Sequence, residues 1–328
     1  MSWSLVRTVL LALALFGSVF ISPAQAQGYP SRNINIIVSI GAGTGMDVLV
    51  RLYAEKLAAS LGRPVVVENK PGAATMLAAA QAATSPPDGH TLVVLTSAAL
   101  AINPWLYKQI NYNPDDFVPV SLYVKSPFIL VVNPQVPART VPEFIKHAKE
   151  ANPPLNYATV GAGALQHLSM EFAKQRFGFD AIHVPYRNTG QSVADLAAGH
   201  VATGFVEAGA SIPLIKDGRL RALAVSASSR LPLLPDVPPF SEAANAPDYE
   251  AVSWHILLAP AKTPKEVVDK LHAEMKQIMG TAEMKEKASA IGLIPIDTPS
   301  IRGMQDYVKA EREKWGALVK KLGLEGSQ

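Results

Sequence analysis

The strongest constraint on this chain is an alternation of two periodicities that occurs twice. Residues 35–40 are a short β-branched run ending in Gly41, Ala42, Gly43, Thr44 and Gly45. Val48, Leu49, Leu52, Tyr53 and Leu57 then recur at helical spacing up to Gly62. Residues 65–67 predict a second strand and 75–83 a small-residue helix. A third strand over 91–96 follows the turn Pro86-Pro87-Asp88-Gly89. Apolar strands alternating with helices imply a parallel sheet covered on both faces. The same order resumes later, with strands at 156–158, 181–184, 202–206 and 220–226 and helices at 165–177 and 191–198.

Two extended runs, 128–132 and 252–259, flank the second block, the latter after a Pro-rich stretch over 231–239. The remainder is helical. Thr263-Pro264 reads as an N-cap with Pro at N1, and a final helix from near Pro299 carries Tyr307, Val308, Trp315 and Val319. Two α/β blocks joined by two crossings predict two lobes. Residues 27–125 with 250–328 form lobe 1 and 126–249 form lobe 2, with the crossings as hinge.

Residues 1–26 read as a cleavable secretory signal: Arg7, an apolar run over 9–21, then Ala24-Gln25-Ala26. The run is shorter than the roughly 20 apolar residues of a membrane span. A retained anchor is the other reading. The mature chain is expected to be soluble in the periplasm. The 328 residues include no cysteine, which excludes disulfides, a thiolate nucleophile and a lipidated N-terminal Cys. A formal charge of +3 with no basic run argues against a nucleic-acid partner.

Candidate chemistry is sparse. Gly41-x-Gly43 lies between a strand and a helix, and Glu68 ends the next strand. Met46, however, replaces the third glycine of a dinucleotide fingerprint, and no G-K-[ST] follows. The loop still offers the N–H groups of Thr44, Gly45 and Met46 to an anion at a helix N-terminus, with a plain strand-to-helix turn as the alternative. Asp47 is read as a cap, because its charge would repel an anion. Gly161, Ala162, Gly163 and Ala164 make a second such turn, and the two turns are expected to face each other across a cleft. Thr96, Ser97 and Ala98 add donors at the same strand edge. The seven histidines show no metal-ligand spacing. His167 is a candidate ligand contact, with packing or capping equally open, and His183 is read as core. No G-x-S-x-G elbow occurs, and nothing demands catalysis.

Several stretches, taken in order, carry a resemblance. They include Val65-Val66-Val67-Glu68-Asn69-Lys70-Pro71-Gly72-Ala73, Pro87-Asp88-Gly89-His90-Thr91-Leu92, Ala101-Ile102-Asn103-Pro104, Leu155-Asn156-Tyr157-Ala158 and Gln166-His167-Leu168. His183-Val184-Pro185-Tyr186, Leu220 to Val225, Leu234-Pro235-Asp236-Val237-Pro238 and Ser253-Trp254 continue the set. Together they resemble the periplasmic solute-binding proteins of tripartite tricarboxylate transporters, the Bug or TctC family. The resemblance covers essentially the whole mature chain. It implies an α/β, two-lobed type II periplasmic-binding-protein fold, each lobe a mainly parallel sheet covered by helices, with the ligand in the interlobe cleft. It further implies a small organic carboxylate as ligand, no metal or cofactor, no enzymatic activity, a monomer, and membrane permease subunits as partners. One carboxylate is expected on Gly41 to Met46, and the far end on Gly161 to Ala164 and the loop after Phe205.

Departures from the family pattern bear on specificity. Thr44 separates glycines that are commonly adjacent, and Ala74-Thr75-Met76 stands where Gly-Gly-Asn is usual. Glu207-Ala208 replaces Asp-Asn, and His255 follows Trp254 where an aromatic is common. Met46, Phe128, His167, Trp254 and His255 are expected to shape a pocket for a longer, flatter or aromatic dicarboxylate such as terephthalate. Arg187 is the best basic candidate at the cleft edge, a surface role being the other reading. A sensory partner of a two-component kinase and a secreted hydrolase are the alternatives to a transport receptor.

Overall fold

A computed structural model describes residues 28–328, so the signal expected over 1–26 lies outside the described residues. The strands are β1 (Ile34–Val38), β2 (Val65–Asn69), β3 (Thr91–Thr96), β4 (Phe117–Ser126), β5 (Phe128–Val132), β6 (Leu155–Thr159), β7 (Ala181–Pro185), β8 (Thr203–Glu207), β9 (Arg221–Val225), β10 (Ser253–Pro260) and β11 (Ile294–Pro295). They form two sheets, ordered β11-β4-β10-β3-β1-β2 and β7-β6-β8-β5-β9.

The sheets are mixed, where sequence reasoning predicts parallel ones. β1 pairs in parallel with β2 and β3, and β6 with β7 and β8. By contrast, β10 runs antiparallel to β3 and β4, and β5 to β8 and β9. The cause is topological. β4 runs toward the junction of the lobes and, after Pro127 alone, the chain enters the second sheet as β5 from that same edge. β10 likewise re-enters the first sheet at its junction edge. A strand that enters where its neighbours end must run against them. The same rule puts the C-terminal ends of β1, β3, β6 and β8 at the junction.

Each sheet is covered by helices whose apolar stripe faces it. In the first lobe, Leu49, Val50, Tyr53 and Leu57 of the Gly45–Leu61 helix pack with Val268, Leu271 and Met275 of the Lys265–Gly280 helix over Ile34, Ile36 and Val38. Each fully buried aliphatic side chain contributes about 1.5–3 kcal/mol of apolar burial. Ala78, Ala79 and Ala82 let the Met76–Ala83 helix lie close against the other face. The Ile301–Lys321 helix closes that side with Met304, Trp315 and Val319. Its Glu311 is buried, and one carboxylate oxygen accepts from both Trp254 Nε1 (3.1 Å) and Trp315 Nε1 (3.0 Å).

Among the longer elements, β4 and the helices Val141–Glu150, Ala208–Lys216 and Ala282–Ala290 go unpredicted by periodicity, as do β11 and several single-turn helices. The Lys265–Gly280 helix starts one residue later than its expected cap implies. Pro264 is the N-cap, and the Thr263 hydroxyl makes no hydrogen bond. Among the described residues no helix is long and apolar enough to cross a membrane.

Candidate ligand-binding cleft

The first glycine turn is held open by its own side chains. Thr44 caps the Gly45–Leu61 helix, its Oγ1 accepting from Asp47 N–H and donating to Gly41 O at 2.9 Å. Asp47 is buried and accepts from Gly43 N–H (2.8 Å), Arg51 Nε (3.1 Å) and Asn69 Nδ2 (2.8 Å). Burial pushes its carboxyl up, but these donors outweigh burial and hold it below the usual carboxylate range. Thr44 is thus the cap where sequence reasoning expects Asp47, and Asp47 spends its charge bracing the turn. Gly43 N–H is consumed as well. Among the described residues none accepts from the N–H groups of Thr44, Gly45 or Met46.

The second turn is braced by an aromatic stack. Gly163 N–H donates to His167 Nδ1 at 3.0 Å, so the neutral ring carries its proton on Nε2. His167 stacks on His183 (centroids 4.3 Å apart) and His183 on Tyr157 (5.2 Å), whose hydroxyl donates to Glu171 at 2.6 Å. Burial, with the neighbouring His183, pushes His167 down to about 4. Thr159 Oγ1 contacts both His183 Nε2 (2.6 Å) and the Gly161 N–H (3.1 Å).

Between the lobes lie two cavities, of about 550 and 450 Å³, which share the residues Ile40, Ser126, Glu207 and His255. The two glycine turns open on different cavities. Gly43, Thr44, Gly45 and Met46 line the larger, together with Thr189, Gly190, Gly209 and Ala210. Gly161, Ala162, Gly163 and Ala164 line the smaller, together with Thr96, Ser97, Ala98 and Phe128. They sit at opposite ends of one cleft, with Glu207 and His255 at its waist. Three helix N-termini converge on the larger cavity: those of Gly45–Leu61, Thr189–Ala198 and Ala208–Lys216. Among the described residues no Lys or Arg side chain lines either cavity. Such a surface holds an anion on backbone dipoles alone.

His255 is buried, its Nδ1 has no hydrogen-bond partner, and burial pushes the ring down to about 4. Glu207 is exposed to the open cleft, and partial desolvation by the surrounding lobes pushes its carboxyl up. It precedes the Ala208–Lys216 helix without capping it.

Several residues singled out by sequence lie off the cleft wall. Gly41 and Ala42 line neither cavity; the Gly41 carbonyl accepts from Thr44 Oγ1, and Ala42 is exposed. His167 braces the second turn from beneath instead of reaching guest space. Trp254 is fully buried on the opposite face of β10 from His255, tied to Glu311. Arg187 is exposed and lines neither cavity. Of the five residues expected to shape an aromatic pocket, Met46, Phe128 and His255 line the cleft.

Other wall residues escaped sequence reasoning. Asn103 and Gln166 lie inside stretches that carry the resemblance, and Ser126 ends the unpredicted strand β4. Ile291 and Leu293 arrive from the turn after the Ala282–Ala290 helix, and no local signal marks them.

Comparison with known proteins agrees with this architecture. Rpa4515 of Rhodopseudomonas palustris, solved with adipate, superposes with a TM-score of 0.80 at 32% identity over 90% of this chain and 98% of that one. The periplasmic binding protein BugD superposes at 0.77, with 29% identity over 90% and 99%. MatC of Rhodopseudomonas palustris, solved with malate, superposes at 0.74, with 28% identity over 89% and 100%. The three share the fold described above, and one of them is a periplasmic binding protein by description. Residues 49–324 match the family described as "Tripartite tricarboxylate transporter family receptor", and a match over most of the sequence shows that this chain belongs to that family of solute-binding receptors.

Proposed function

We propose that this chain captures a small dicarboxylate in the interlobe cleft and delivers it, as a periplasmic monomer freed of its 1–26 signal, to the permease of a tripartite tricarboxylate transporter. Residues 27–125 with 250–328 and residues 126–249 act as the two jaws, hinged at the two crossings. The observation that carries this reading is the convergence of three helix N-termini on a cavity without a basic side chain. One carboxylate takes the amides of Thr44, Gly45 and Met46, and the other takes those of Ala162, Leu165 and Gln166 in the turn at the far end, where Gly161, Gly163 and Ala164 already donate within the protein. The relatives solved with adipate and with malate support an aliphatic diacid. The burial of Trp254 away from the cleft takes one of the five residues expected to favour an aromatic guest off the wall, while Phe128 and His255 stay on it.

Gly45→Pro tests the mode directly. Residue 45 is the first helical position, where Pro is well tolerated, and Thr44 already has the extended conformation (ψ 160°) that precedes proline. The substitution removes one N–H and leaves the helix. Calorimetry with adipate and malate should show binding to the parent chain and an affinity loss of about tenfold or more in the variant, at unchanged ligand-free melting temperature. Undiminished affinity would place the carboxylate elsewhere, and silence of the parent chain toward diacids would end the reading.

A further inference from the structure

Glu207 is the one charged side chain on the cleft wall among the described residues, and it stands where both halves of the cleft meet. Its backbone is fixed by pairing with Phe128 at the junction end of β8. Its carboxylate has no salt-bridge or hydrogen-bond partner among the described residues, although it precedes a helix whose N-terminus it is placed to cap. The side chain is exposed to the open cleft, so solvent meets its acceptor capacity, and a guest that displaces that solvent has to replace it. Across the waist, His255 presents a neutral ring, and Ser126 presents a hydroxyl.

This arrangement conflicts with an unsubstituted dianion. Such a guest brings two carboxylates to the amide-lined ends and only methylenes to the middle, where Glu207 would face apolar carbon and repel both charges. We infer that Glu207 is a specificity-determining residue that selects diacids bearing a hydrogen-bond donor, a hydroxyl or an ammonium, between their carboxylates. The donor satisfies the lone carboxyl at the waist while the helix termini hold the ends. A neutral His255 accepts or donates a hydrogen bond without adding charge. The inference rests on the dicarboxylate reading above and sharpens it to hydroxy- and amino-substituted members.

The test is calorimetry on the intact mature protein with matched series: succinate, malate and aspartate, then adipate and its 2-hydroxy and 2-amino derivatives. A hydrogen bond to a charged group corresponds to about ten- to hundredfold in affinity. Each substituted acid that reaches the waist should therefore bind at least tenfold tighter than its parent. Glu207→Gln keeps the shape and removes the charge. It should bring the two affinities within about threefold of each other, chiefly by improving the unsubstituted acid, with the ligand-free melting temperature as folding control. Tightest binding of the amino acid would identify an ion pair, and tightest binding of the hydroxy acid a neutral donor. Both outcomes support the assignment. Unsubstituted acids binding as tightly as their derivatives, or a preference that survives in Glu207→Gln, would overturn it while leaving the dicarboxylate reading intact. Failure of every acid to bind would overturn both.

Discussion

Gly163, in the second glycine turn of one lobe, lies so close to Leu106 of the other that a β-carbon at residue 163 would fall 1.9 Å from Leu106 Cδ2. At the other end of the cleft, a β-carbon on Gly209 would fall 2.9 Å from the carbonyl oxygen of Ile291. The lobes thus meet at both ends of the cleft through positions that tolerate no side chain. Glycine at 163 also supplies a backbone φ of +75°, so two requirements coincide there. At 209 the backbone is helical and only the close approach matters.

Gly209→Ala therefore isolates closure from backbone strain. The added methyl meets a carbonyl that cannot swing aside, and overpacking of this kind costs about 1–3 kcal/mol. Under the hinge proposed above, the open form escapes the contact, so the whole cost falls on the closed one. Ligand affinity is expected to drop about ten- to hundredfold, with little change in the ligand-free melting temperature. Small-angle scattering with saturating ligand should show a larger radius of gyration than the parent chain gives. Unchanged affinity would mean that these lobes bind without closing at residue 209.

A second expectation concerns the turn after β2. Ala73, Ala74 and Thr75 have φ of +45°, +48° and +74°, a run of left-handed conformation in residues that carry a β-carbon. Ala74 and Thr75 both line the smaller cavity, and Asn103 Nδ2 donates to the Ala74 carbonyl at 2.8 Å. Left-handed conformation costs about 1–2 kcal/mol per such residue, most for a β-branched one. Glycine relieves that cost but loses up to about 1 kcal/mol through the freer unfolded chain. The double variant Ala74→Gly with Thr75→Gly should gain about 1 kcal/mol net, a rise of about 2 °C in melting temperature. A fall in melting temperature would show that the Thr75 side chain stabilises more than its backbone strains.

The strained turn also shows where sequence reading stops. Ala74 and Thr75 were visible as departures from glycines, and the structure supplies the reason why glycine suits those positions. Both glycine turns were legible because small residues after an apolar run leave few conformational options. The faces of β10 were not legible. Trp254 and His255 are neighbours in a strand and must point to opposite sides, but their order in the chain does not say which side is the cleft. Glu311, 57 residues away, decides it by accepting from the Trp254 indole. The reversal of β5 and β10 was hidden for a similar reason. An apolar run carries no direction, and only the route of the chain between the lobes assigns one.

The two histidines nearest the cleft give the last expectation. His255 and His167 are both buried, and burial pushes each down to about 4, against 6.5 for a free side chain. Between those values the unfolded chain binds protons that the folded chain refuses, so the stability they influence is highest above pH 6.5 and falls as pH drops toward 4. The loss amounts to roughly 3 kcal/mol for each ring when the shift is fully expressed. Urea unfolding at several pH values should show this decline, and His255→Gln, which has no titrating ring, should make it shallower by about half. His167→Gln should act similarly on the slope. It should also weaken binding, because the Gly163 N–H loses the imidazole nitrogen that aligns the turn. Profiles of both variants that match the parent chain would show that these rings take up protons in the folded state as readily as in water.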